Sequence, residues 1–341
     1  MIGILLVNLG TPDQPTNSAV RRYLREFLSD ERVLDINPLA RWLLVNLIIV
    51  PFRSPKSRKA YEKIWTSEGS PLLKNTRELS QAVAQELGEK YHVEFAMRYG
   101  KPSLESALQH FKEKRVESIR ILPLYPQYAS SSTGSTQEKI HALAKKIPNL
   151  PPIQFLLPFF EHPGYAESFA EIGKPILESL KPDHILFSFH GLPERQILKE
   201  DISGKHCLKK ANCCEEILPA NGLCYRAHCF HSAFAIAEQL GIAKEDYTIC
   251  FQSRLGRTPW IKPYTDIVID ELAKSGKKRL AVFCPAFVAD CLETLEEIGM
   301  RAKEQFIEAG GEDLQLIPSL NAHPIWVKAL VQMLRGESKQ T

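Results

Sequence analysis

Ile185-Leu-Phe-Ser-Phe-His-Gly-Leu-Pro193 and Leu280-Ala-Val-Phe-Cys-Pro-Ala-Phe-Val-Ala-Asp-Cys-Leu-Glu-Thr-Leu-Glu-Glu297 are built alike: a short apolar run, a Gly or Pro break, and a chemically capable side chain at the break. An unbroken apolar run of this length reads as a strand buried on both faces, the signature of a parallel sheet. Ligands in open α/β sheets gather at the carboxyl ends of such strands. The first run delivers His190 there. After the second, Pro285 breaks the strand and the pattern predicts a helix whose Asp290, Glu293 and Glu297 form one row, with Glu296 pointing elsewhere. A proton acceptor facing a file of carboxylates suits a reaction that removes protons and handles a divalent cation.

Six further runs read as strands: Gly3 to Val7, Val93 to Met97, Ile119 to Leu122, Ile153 to Leu157, Tyr247 to Phe251 and Leu314 to Ile317. Helical patterns separate most of them, so the fold class is α/β. The eight runs fall into two sets of four whose ends rhyme. Leu-Gly10-Thr-Pro answers His-Gly191-Leu-Pro, Arg98-Tyr-Gly-Lys-Pro answers Arg254-Leu-Gly-Arg-Thr-Pro, Pro123 answers Pro285, and His162-Pro163 answers His323-Pro324. Two similar doubly wound, Rossmann-like domains with parallel four-stranded sheets follow: an N-terminal half, 1–178, and a C-terminal half, 179–341. The cleft between them is the expected active site.

Composition is that of an ordinary globular protein, 44% hydrophobic and 24% charged, and a net charge of +3 gives no reason to expect nucleic acid. Met1 to Val7 lacks a basic leader and reads as a first buried strand of a cytoplasmic protein. The most apolar stretch, 36–52, falls short of the ~20 residues of a spanning helix. Arg53, Lys56, Arg58 and Lys59 follow it at once. It is either a core helix with a solvated tail or an exposed apolar lip that touches the inner face of the cell membrane as a peripheral contact.

The two opening segments, with Asn8-Leu-Gly-Thr-Pro12, Met97-Arg-Tyr-Gly100, Leu122-Pro-Leu-Tyr-Pro-Gln-Tyr128, Ser-Thr-Gly-Ser135 and Phe251-Gln-Ser-Arg-Leu-Gly-Arg-Thr-Pro-Trp260, closely resemble ferrochelatases over essentially the whole chain. The resemblance implies a chelatase-like fold and a lyase that inserts ferrous iron, its substrate, into protoporphyrin IX to give protohaem. It implies His190 and Glu293 as the catalytic pair that meets the iron, Asp290 and Glu297 as an acidic path, and Arg98, Tyr99, Tyr125, Trp260 and Phe287 around the porphyrin. It also implies an apolar lip at 36–52. Relatives of the same fold metallate coproporphyrin III. A haem or porphyrin carrier and an iron-sulfur redox carrier are the rival readings, and neither needs His190 with Glu293.

Five of the eight cysteines, Cys207, Cys213, Cys214, Cys224 and Cys229, crowd into a turn-rich insertion, 203–229. In a cytosolic enzyme such a cluster argues for metal over disulfides. Some ferrochelatases hold a two-iron, two-sulfide cluster, and this chain resembles those with internal ligands, since Ser130 stands where the animal pattern has a cluster cysteine. Four of the five would ligate a 2Fe-2S cluster, with adjacent Cys213 and Cys214 not expected to serve together. A zinc site of four cysteines, or of three with His206, His228 or His231, is the alternative. Cys250, Cys284 and Cys291 read as core residues.

Overall fold

The computed structural model describes residues 1–256 and 258–336; Arg257 of the Phe251–Trp260 motif and the end of the C-terminal half, 337–341, lie outside the described residues. One parallel sheet contains β1 (Ile2–Gly10), β2 (Tyr91–Tyr99), β3 (Ser118–Pro123) and β4 (Ile153–Phe155) in the order β2-β1-β3-β4. A second contains β5 (His184–His190), β6 (Tyr247–Gln252), β7 (Arg279–Phe283) and β8 (Asp313–Leu316) in the order β6-β5-β7-β8. The orders are the same, so the second half repeats the topology of the first. Ile4 to Val7 and Leu186, Phe187 and Phe189 are fully buried, as central strands with both faces covered must be.

The repeat extends to the strand ends. Gly10 and Gly191 each follow the apolar run of a central strand, and each sits against the carbonyl of the last residue of the neighbouring strand. A Cβ on Gly10, whose φ is +120°, would stand 1.8 Å from the Tyr99 oxygen; one on Gly191 would stand 2.9 Å from the Gln252 oxygen. Glycine is there because nothing larger lets the strands close up. The Met97 N–H donates to the Pro102 carbonyl at 2.8 Å, and the Phe251 N–H to the Pro263 carbonyl at 2.8 Å. The partner of Lys101-Pro102 is therefore Lys262-Pro263, which corrects the pairing with Pro259 suggested by the sequence rhyme. The displaced residues pair elsewhere first, Glu194 N–H on the Pro259 carbonyl and Ile261 N–H on the Leu192 carbonyl. His162-Pro163 and His323-Pro324 do correspond, each starting a helix with proline in its first turn.

Compact units do not follow the sequence division at 178/179. One unit comprises 1–125, 130–158 and the C-terminal segment from Asn321; the other comprises 126–129 and 159–320. The helix Pro324–Arg335 packs on the helix Pro71–Leu87 of the first unit, and Pro163–Leu180 packs on Tyr225–Leu240 of the second. Each unit contains one whole sheet.

The apolar stretch is helical and largely exposed. Its helical run, from Pro38 through a π-helical segment Leu44–Ile49 into Val50–Ile64, buries Val45 and Val50 but leaves Leu39, Trp42, Leu43, Leu47, Ile48 and Phe52 exposed. No helix among the described residues is long and apolar enough to cross a membrane.

Gly10→Ala should lower the urea midpoint of unfolding by the equivalent of about 3 kcal/mol or more, because its Cβ meets backbone that cannot rotate away. A stability equal to that of the parent would show that β1 and β2 separate freely at this end.

Candidate active site

His190 is the last residue of β5 and is half-buried. Its Nδ1 lies 2.7 Å from the carbonyl oxygen of Gly191. A carbonyl only accepts, so this contact requires a proton on Nδ1 and leaves Nε2 with its lone pair, ready to take a proton. The rings of Phe287 and Trp260 stand beside the imidazole, with centroids 6.4 and 6.5 Å away. Trp260 is fixed by its indole N–H on the Leu255 carbonyl at 2.9 Å and by a bridge to Pro193. Phe287 packs partly on the core of the second sheet.

Gln252, buried at the end of β6, joins this turn to the acids. Its carbonyl accepts the Gly191 N–H at 2.8 Å, while its side-chain amide donates to the Glu293 carbonyl at 2.9 Å and its amide oxygen accepts from Ser188 at 2.8 Å. In the sequence Gln252 stands inside a recognisable motif, yet nothing there gives it a role. One residue thus sets both members of the expected pair.

The acidic row is corrected. Asp290 is not helical: the chain from Cys284 to Cys291 is irregular, and Asp290 is buried, accepting from Thr294 Oγ1 at 3.1 Å and the Ser319 N–H at 3.2 Å. Only at Glu293 does a helix begin in earnest, a π-helix running to Ala302 with i→i+5 bonding, a geometry found mostly at functional sites. Glu297 on it accepts from both the N–H and the hydroxyl of Ser253, at 3.0 and 2.5 Å. Ser253 has a φ of +68°, a strained value for serine that these bonds stabilise. Glu296 pairs with Arg301 at 3.5 Å, and the same guanidinium reaches Glu297 at 3.9 Å. Below the acids, burial and then the Glu293 carboxylate push the Cys291 thiol well above its ordinary value, so it stays protonated. Cys250, Cys284 and Cys291 are all buried core thiols.

Arg98, Tyr99 and Tyr125 belong to the first unit. Arg98 donates to Asp30 at 2.5 Å and to Ser135 Oγ at 2.7 Å; the Tyr99 hydroxyl donates to Asp30 at 2.8 Å. Tyr99 is 1% exposed, so its reading as a porphyrin wall is corrected to a buried member of this network. Burial pushes the phenols of Tyr99 and Tyr125 well up, keeping both neutral. Asp30 was missed because no sequence frame surrounds it. Burial alone would raise its carboxyl pKa, but hydrogen bonds from Ser135, the Arg32 N–H and Tyr99, with the Arg98 charge, outweigh this and lower it.

The cysteine-rich insertion folds around two polar hubs. The Asp201 carboxylate accepts the N–H groups of Ser203, Gly204, His206 and Cys207 at 2.8–3.2 Å, and Asn221 bonds Leu218 N–H and the carbonyls of Cys213 and Glu216. All five thiols are free and buried. Cys213 and Cys214 sulfurs lie 3.7 Å apart, and Arg226 donates to Cys214 at 3.0 Å. Hydrogen bonding from Cys214 first, aided by the N–H groups of Ala227 and Arg226 at a helix start, brings the Cys224 thiol down to about 6. A thiolate among buried thiols has the donor chemistry of a sulfur-ligated metal. As they stand, no three His, Cys, Asp or Glu among the described residues are placed to hold a metal ion.

Asp30→Asn should destabilise the protein by about 3–5 kcal/mol, since it leaves the Arg98 guanidinium buried without its partner. Because the folded pKa of Asp30 is lowered, the stability it contributes is complete above the ordinary carboxylate value and is lost as pH falls through the folded one. The gap between parent and variant in thermal unfolding should therefore start to narrow only below about pH 4 and close below the lowered folded value; a gap independent of pH would refute the charge as its source.

The ferrochelatase family model matches residues 1–338. A ferrochelatase of Coxiella burnetii is 48% identical over 334 residues, covering 98% of this chain and 93% of that protein, and one of Legionella pneumophila is 47% identical over 335 residues, covering 98% and 99%. Among solved structures, SirB from Bacillus subtilis with Fe3+ superposes with a TM-score of 0.54 at 14% identity, covering 98% of this chain and 94% of that one. CbiX, the terminal enzyme for biosynthesis of siroheme in denitrifying bacteria, gives 0.50 at 12%, covering 98% and 99%. The structural likenesses carry the fold, and the sequence matches carry the assignment: the chain belongs to the ferrochelatase family.

Proposed function

We propose that this enzyme inserts ferrous iron into protoporphyrin IX, with His190 taking protons from the ring and Glu293 as its partner. The observation that supports this most is the hydrogen bond of His190 Nδ1 to the Gly191 carbonyl, which leaves Nε2 as an open acceptor in the turn that Gln252 ties to Glu293. Metallation removes two pyrrole protons and brings a dehydrated cation into a rigid ring. A site that favours a ring bent so that its nitrogen lone pairs point out of plane binds the transition state better than the flat substrate. Trp260 and Phe287 supply apolar surface beside the acceptor. Asp290 and Glu297 continue the negative charge beyond Glu293, each held by a hydroxyl and a backbone N–H.

The exposed lip supports a greasy substrate with two propionates over coproporphyrin III with four, and a peripheral contact with an anionic membrane surface through Arg53, Lys56 and Lys59. Rates on the two porphyrins decide the substrate: faster turnover of protoporphyrin is expected, and a clear preference for the four-propionate ring reverses the assignment.

In the insertion, thiolates would hold a 2Fe-2S cluster, whose resident iron and sulfide stabilise a segment with little core of its own. Tetrahedral thiolates about 2.3 Å from a metal have their sulfurs ~3.8 Å apart, close to the 3.7 Å between Cys213 and Cys214. Cys224 is linked through its thiol to Cys207 and Cys214, while Cys229 pairs with Tyr225, so we favour Cys207, Cys213, Cys214 and Cys224 as ligands and Cys229 as the spare, against the expectation from adjacency. Anaerobically purified protein should be red-brown with equal iron and acid-labile sulfide. Serine at Cys229 should keep the colour and serine at Cys214 lose it; a colourless protein with one zinc would replace the cluster with zinc.

For the chemistry, His190→Ala should abolish metallation under anaerobic conditions while porphyrin binding survives, and Glu293→Gln should lower turnover more than tenfold, about 1.4 kcal/mol. Either variant retaining over a tenth of the rate would remove that residue from the catalytic pair.

A further inference from the structure

Tyr225 is the first residue of the helix Tyr225–Leu240 and follows Cys224 directly, so it joins the cysteine-rich insertion to the second sheet. Its side chain is buried, and its hydroxyl donates to the backbone carbonyl of His190 at 2.9 Å. The Cys229 thiol lies beside the same hydroxyl. The helix that starts beside Cys224 is thus tied by one hydroxyl to the His190 carbonyl. On the other side of the same turn the Gly191 N–H is held by Gln252.

We propose that Tyr225 is a positioning residue for His190: its hydroxyl fixes the peptide after the imidazole-bearing residue, and through it the packing of the cysteine-rich insertion sets the direction of Nε2. This rests on the reading of His190 as proton acceptor. The peptide that Tyr225 grips also carries the Gly191 N–H, and the Gly191 carbonyl one bond pair further holds Nδ1. Loss of the hydroxyl frees that peptide to tilt, and the ring tilts with it. The insertion then affects metallation without any cysteine touching the porphyrin. Nothing in the sequence marks Tyr225, since an aromatic at a helix start next to a cysteine reads as packing.

Tyr225→Phe keeps the ring and removes only the hydroxyl. In the full-length protein kcat should fall about tenfold, the size expected for one buried hydrogen bond acting in the transition state, while KM for porphyrin stays within about twofold. The His190 imidazole resonances, assigned by their loss in His190→Gln, should shift or broaden. Ser232→Ala in the same helix is the control. It deletes a buried hydroxyl that bonds the His228 carbonyl and Gln127 and does not touch His190, so its kcat and His190 signals should match the parent. Parent-like kcat and His190 signals in Tyr225→Phe would overturn the proposal, as would an equal loss in Ser232→Ala, or a fall in kcat with unshifted His190 signals. Failure of the reading beneath it shows differently, as full turnover in His190→Ala, whatever the imidazole signals of Tyr225→Phe report.

Discussion

The Gly191 N–H on the Gln252 carbonyl, at 2.8 Å, sets the spacing on which the rest of the site depends. It requires a residue without Cβ immediately after His190, because the Gln252 oxygen occupies the place a Cβ would take. That closure fixes where the strand stops and the side chain of His190 begins its turn. From the same residue, the Gln252 side chain reaches the Glu293 carbonyl and fixes where the π-helix starts. Acceptor and carboxylate are thus placed by one short strand end rather than by two independent loops, which suits a reaction that needs both within a small volume.

The first unit uses the same device with different chemistry. Gly10 closes on the Tyr99 carbonyl as Gly191 does on Gln252, and the neighbouring residues Arg98 and Tyr99 are tied to Asp30 and Ser135. A repeated backbone therefore carries an imidazole and acids in one copy and a neutralised, buried ion pair in the other.

All eight strands were legible: the central ones, buried on both faces of a parallel sheet, read as unbroken apolar runs, and the less buried outer strands β2, β4 and β8 as shorter or interrupted ones. His190 was legible at its strand end for the same reason, whereas Trp260 and Phe287 came only from the resemblance to ferrochelatases. The acidic row was misread at Asp290, since acids at spacings of three and four suit an α-helix in sequence whether or not the backbone makes one. The π-helix Glu293–Ala302 has no sequence pattern of its own by which to tell it from an α-helix. The register of Lys262-Pro263 was missed because a second Pro, Pro259, stands nearer the strand. Asp30, Gln252 and Tyr225 act through backbone groups or buried charge, and one side chain seen alone gives no sign of either.

The account turns on which nitrogen of His190 holds its proton. Nitrogen-15 NMR of histidine-labelled protein, with His190 assigned through His190→Gln, reads this directly at a pH where the ring is neutral. The structure predicts an Nδ1–H tautomer bonded to the Gly191 carbonyl and an unprotonated Nε2 whose signal moves when porphyrin binds. A resonance showing the proton on Nε2, with Nδ1 bare beside a carbonyl, would contradict it and leave the site without its acceptor.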